Sequence, residues 1–138
     1  MNTKAILAIL ASTITGFLLG WVIWGIALAD FYEANMVHYE GLMNAEPPIW
    51  IYLITNLAIS LLYYYVIYHL SGIRSVGKAV AVAMITTFLS TLPYELYFLT
   101  GMNLYSGMAI LTDIIGNVVM GGVMSAVIIL VMGTGKKD

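Results

Sequence analysis

Apolar residues in this chain come in long unbroken runs, not in the alternation of a half-buried strand or the narrow stripe of a soluble helix. No charged residue interrupts the stretches between Lys4 and Asp30, Glu46 and Arg74, Lys78 and Glu95, or Asp113 and Lys136. A membrane-crossing helix needs about 20 mostly apolar residues. The windows predict four of them, over about 4–29, 49–70, 78–99 and 106–132. The third and fourth spans each tolerate one acid, Glu95 and Asp113. The expected fold is all-α, an integral membrane four-helix bundle. It takes up residues 1–138 as one four-span domain with an acidic outer loop over 30–48 and no soluble domain.

Polar and small residues recur every fourth position inside these runs, which places them on one helix face. The first helix carries Ala8, Ser12, Gly16 and Gly20; the second carries Tyr52, Asn56, Ser60 and Tyr64. The third carries Ala79, Ala83, Thr87, Thr91 and Glu95; the fourth carries Asp113, Asn117, Gly121 and Ser125. Small residues let helix backbones approach closely in lipid, where van der Waals packing drives association. Ser12, Gly16, Gly20, Gly121 and Ser125 are therefore expected packing positions. The Gly16–Gly20 pair also suits contact between two copies of the chain.

Composition narrows the picture. The chain is 62% apolar and only 9% charged, against about a quarter charged in soluble domains. Cysteine is absent, which removes disulfides, thiolate metal sites and thiol catalysis. Lys4 followed by an apolar run and Ala27-Leu28-Ala29 imitates a secretory signal, but the run far exceeds the ~7–15 residues of a signal core. It is read as the first span.

The five basic residues are Lys4, Arg74, Lys78, Lys136 and Lys137. With four spans they fall on one side, which the positive-inside rule makes the cytoplasm. Both termini are then cytoplasmic. The outer connections hold no lysine or arginine, and the longer one carries Asp30, Glu33, Glu40 and Glu46. Pro47-Pro48 suits the start of the second helix, because a first-turn residue has no N–H partner to lose. The texts LITNLAIS (53–60) and ILTDIIGN (110–117) align Asn56 with Asp113. A duplication would make the chain two tandem helical hairpins.

Asp113 is the most informative residue. At 1.5 Å per residue it lies about 10 Å below the outer start of its helix. Asn56 lies about as deep, Glu95 somewhat shallower, and Trp24 reaches the same layer. Asp113, Asn117, Asn56 and Glu95 are the ligand- or proton-binding candidates. Every lysine and arginine sits at the far side, so no ion pair is available within the chain. A carboxyl group in low dielectric takes a proton, binds a cation or meets a base from another chain. Polar glue is the plainer role, with the carboxyl hydrogen-bonded to Asn56 or Asn117. Pro93, two residues before Glu95, frees the carbonyl of Leu89 and is expected to kink the third span.

The remaining chemistry is sparse. His69 closes the second span. His38 stands in the outer loop near Asp30, Glu33 and Glu40 in a spacing that matches no metal motif. No phosphate-cradling loop, nucleophile elbow or basic nucleic-acid patch is present. No metal, cofactor or nucleic-acid partner is expected, and an enzyme is not.

The segments FLLGWVIWGIALADFY, ITN in the second span and LTDIIG in the fourth resemble a family of small bacterial four-helix inner-membrane proteins catalogued as a domain of unknown function. That resemblance implies a bacterial inner membrane and a four-helix layout, and no activity. Small multidrug transporters share the span number but carry an acid in the first helix, which this chain lacks. The leading expectation is a structural or accessory polytopic protein that self-associates or docks onto a larger membrane complex, with the lipid bilayer as its surroundings. The alternative is a small proton- or cation-coupled transporter or channel using the outer-half polar site.

Overall fold

In the computed structural model, which describes residues 2–41 and 48–133, the chain is all-helical and contains no strand among those residues. Four helices are long and apolar enough to cross a membrane: α1 (Thr3–Ala27), α3 (Ile49–Leu70), α4 (Val76–Gly101) and α5 (Gly107–Met132). That is the make-up of a multi-pass membrane protein. The charge-free windows located each within two residues. They missed α2 (Ala29–Asn35), a short helix inside the segment expected to be loop. Glu46, Pro47, Lys136 and Lys137 lie outside the described residues, as does any role assigned to them.

Two helices end in wider turns. Trp21–Ala27 and Tyr64–Leu70 are π-helical, closed by i→i+5 bonds from Leu28 N to Ile23 O (2.8 Å) and from Ser71 N to Val66 O (3.0 Å). α4 runs unbroken through Pro93, so the expected kink does not end the helix. Pro48 flanks α3 in extended conformation, and the Ser106 hydroxyl caps α5 by accepting from Ala109 N at 3.1 Å.

α5 is the spine. It packs against α1 and α4, and α3 packs mainly on α1 with a smaller contact to α5. The apolar core gathers at one end, where Ala5, Ala8, Ile67, Ala79, Ala83, Ile128 and Met132 form one cluster. Lys4, Arg74 and Lys78 cap that end, which is called the basic end below. There the last turns of α3 swing toward α4, and Tyr63 hydrogen-bonds Thr87 across them. The opposite end is looser. α2 folds back over it, held by Val37 N to Leu104 O (2.7 Å), Ser106 N to Asn35 O (2.9 Å) and the Ser106 hydroxyl to Asn35 Oδ1 (2.9 Å).

The small row of α1 divides in two. Ser12 is fully buried and accepts a hydrogen bond from the equally buried Ser60 hydroxyl at 2.9 Å. A Cβ on Gly16 would collide with Asn56 Oδ1 and come within 2.7 Å of the Met124 side chain. A Cβ on Gly20 would meet only Met120 Sδ, at 4.0 Å. Within the chain, Gly20 therefore makes no tight contact. On α5 a Cβ at Gly121 would strike Tyr63 and Thr87, and Ser125 is buried with its hydroxyl on Gly122 O at 2.9 Å. Gly16 and Gly121 are the crossing points of the structure.

This asymmetry sets an expectation. Gly16→Ala overpacks a crossing point, which typically costs about 1–3 kcal/mol. Gly20→Ala gains helix propensity in open space and is neutral or stabilising. Thermal unfolding in mild detergent, followed by far-ultraviolet circular dichroism, separates them. Equal losses for both variants would contradict the packing.

Candidate functional site

The site is built at the loop end, around a carboxyl group that α5 carries into its apolar surroundings. Asp113 Oδ1 accepts from Trp24 Nε1 at 2.8 Å and from the Tyr32 hydroxyl at 3.3 Å. Asp113 Oδ2 accepts from Asn117 Nδ2 at 2.7 Å, and the same amide group reaches Asp113 O at 3.0 Å. Three neutral donors from three places in the chain thus converge on one side chain. Glu95 brings a second carboxyl group to it from α4.

Each partner is positioned by a local feature. Trp24 lies in the π-helical end of α1, and its ring packs on bare backbone: a Cβ on Gly116 would sit 3.0 Å from Trp24 Cζ2. Gly116 is thus needed for close approach. Tyr32 stands on α2, and its hydroxyl also lies 3.2 Å from Ala109 O. Asn117 follows Asp113 by four residues and shares its face. No lysine or arginine of the described residues bonds either carboxyl; their one ion pair joins His38 to Glu33 at 3.4 Å in the exposed loop. Among the described residues no three carboxyl, imidazole or thiol groups converge as a metal site.

Of the four residues singled out by sequence, Asp113, Asn117 and Glu95 come together and Asn56 does not. Asn56 lies in α3, which packs on α1. Its Nδ2 donates to Tyr52 O at 2.8 Å, and its Oδ1, buried beside Gly16, has no hydrogen-bond donor. Trp24 was expected in this layer and forms the shortest bond to Oδ1. Tyr32 escaped sequence reasoning because its segment read as loop.

A cavity of about 830 Å³ opens between α1, α3 and α5. Its walls include Phe17, Gly20, Trp21, Trp24, Tyr52, Asn56, Asn117 and Met120. Trp24 and Asn117 belong to both places: they line the cavity and donate to Asp113. Gly20, free of tight contact, leaves part of this space open.

A multi-pass helical protein with two neighbouring carboxyls beside an apolar cavity is the class that fold and site define. No family model matches the chain, and neither does any curated protein or solved structure.

Tyr32 gives the site a titratable reporter. Burial first, and then the neighbouring Asp113 carboxyl, push its phenol up to about 12 from an ordinary value of 10.0. A folded-state value above the unfolded one favours the neutral phenol. Its contribution to folding is complete below pH 10 and is lost as pH rises toward 12. Tyrosinate absorbance should show this residue ionising late, with the difference absent in Tyr32→Phe. A titration of Tyr32 indistinguishable from the exposed tyrosines would contradict its place in the site.

Proposed function

We propose that this chain is a small proton- or cation-coupled membrane transport protein of the bacterial inner membrane, with the Asp113–Glu95 pair as its coupling site and no enzymatic activity. One observation carries the reading: two carboxyl groups from α4 and α5 are neighbours, with three neutral donors on Asp113 and no basic partner among the described residues. Ionisable residues within membrane spans are functional candidates by default. Two neighbouring acids repel when both are charged, which favours a shared proton or a bound cation. Both termini are cytoplasmic in this reading. Lys4, Arg74 and Lys78 at one end support that, and the carboxyl pair then lies toward the outside.

A second reading has its own support. Three neutral donors from α1, α2 and α5 on one carboxyl also describe polar glue, as in a structural or accessory protein that self-associates or docks onto a larger complex. Transport and glue differ in what they need. Coupling needs exchange of the proton or ion; glue needs only the hydrogen bonds.

Reconstituted vesicles separate the two. With an imposed proton or sodium gradient, the wild-type chain should collapse the gradient faster than empty vesicles. Asp113→Asn, which keeps an acceptor and adds a donor, should abolish this while the protein remains folded. Glu95→Gln should slow it. Gradients as durable as in protein-free vesicles, with the chain copurifying on a larger complex, would overturn the transport reading in favour of the accessory one.

A further inference from the structure

Asp113 is ringed by hydrogen-bond donors, and the kind of donor decides which ion the carboxyl pair can hold. The indole Nε1 of Trp24, at 2.8 Å, and the amide Nδ2 of Asn117, at 2.7 Å, carry hydrogen and offer no lone pair. The Asn117 amide is fixed that way round, because its nitrogen also lies 3.0 Å from Asp113 O, which only accepts. Each oxygen of the carboxyl therefore faces an N–H. With the Tyr32 hydroxyl at 3.3 Å, three of the roughly four lone-pair sites of a carboxylate are taken.

A metal cation needs the reverse surroundings. It gives up water only for several oxygen atoms turned toward it together. Here the N–H groups of α1 and α5 aim their positive ends at both oxygens of Asp113. Among the described residues no third carboxyl or imidazole group joins Asp113 and Glu95. A proton asks for much less. One free lone pair and one neighbouring carboxyl suffice, and Glu95 on α4 is that neighbour.

Tyr32 suits the site to both protonation states. Its hydroxyl has one hydrogen and two acceptors in reach, Asp113 Oδ1 at 3.3 Å and Ala109 O at 3.2 Å. Toward a charged Asp113 the hydroxyl donates. When Asp113 holds the proton, the hydroxyl turns to Ala109 O and presents a lone pair to the carboxyl. Rotation about one bond absorbs the change, and no helix has to move. The phenol itself stays neutral far above the physiological range.

We infer that the Asp113–Glu95 pair binds a single proton in preference to any metal cation, with Tyr32 as the positioning residue that satisfies Asp113 in both states. The use of that proton for coupling rests on the transport reading; its binding rests on the hydrogen bonds. Repulsion between like charges disfavours an empty pair, and the donors on Asp113 disfavour a second proton.

Infrared spectroscopy reads a protonated carboxyl directly. Purified protein in mild detergent is titrated through the neutral range in choline chloride, then in sodium, potassium and calcium chloride at matched ionic strength. The wild type should show one protonated carboxyl at neutral pH that the double variant Asp113→Asn, Glu95→Gln lacks. Its midpoint should be the same in every salt. Tyr32→Phe removes a donor to the charged form and should raise the midpoint by up to about one pH unit. A midpoint that falls by about one pH unit per tenfold of sodium, as competition at one site requires, would overturn the assignment. A neutral-range titration that survives in the double variant would do so too, and an unmoved midpoint in Tyr32→Phe would remove the role of Tyr32. The salt comparison uses the unaltered chain, so it stands whatever the variants do to folding. Proton binding without gradient collapse in vesicles upholds the assignment and removes the transport reading. Collapse of a sodium gradient with a sodium-sensitive midpoint removes the assignment and leaves transport standing.

Discussion

A carboxyl group held within an apolar helix has to be satisfied by its neighbours, and the loop end of this protein is arranged around that requirement. Asp113 draws the indole of α1, the phenol of α2 and the amide of its own helix onto two oxygens. Without Asp113, α2 would keep its links to the α4–α5 connection and the Tyr32 contact with Ala109 O, but lose its side-chain partner on α5. The indole would also have no buried acceptor. At the basic end the helices cohere by close packing over small residues, the usual means of association in lipid. One end is therefore held by shape and the other by hydrogen bonds. The cavity lies where the first gives way to the second.

The four spans were legible because a helix in lipid must be apolar over a fixed length, and charge-free windows measure that length directly. The α2 helix was not. Seven residues are too few for a periodic pattern to register, and its tyrosine and acids read as interfacial loop. Depth along each helix was also legible, since the rise per residue is constant. Depth correctly grouped Trp24, Asp113 and Glu95. It failed for Asn56, because counting from the start of a helix assumes that all helices start at one level. Asn56 faces Gly16 beside Met124, eleven residues further along α5 than Asp113.

Gly16 and Gly20 show the same limit on a smaller scale. Their spacing puts them on one face and makes them equivalent in sequence. Around them, α3 and α5 converge on Gly16, while beside Gly20 the cavity opens. A row of small residues marks where backbones can meet. It does not mark where they do.

The π-helical end of α1 has a further consequence. A π turn holds one more residue than the α turn it replaces, and such segments recur at functional sites. Removing one residue from Trp21 to Ala27 restores ordinary winding while the flanking turns keep their phase. Only the side chains inside the segment shift, the indole of Trp24 among them. The extra residue thus adjusts the face that Trp21 and Trp24 present without turning the rest of α1.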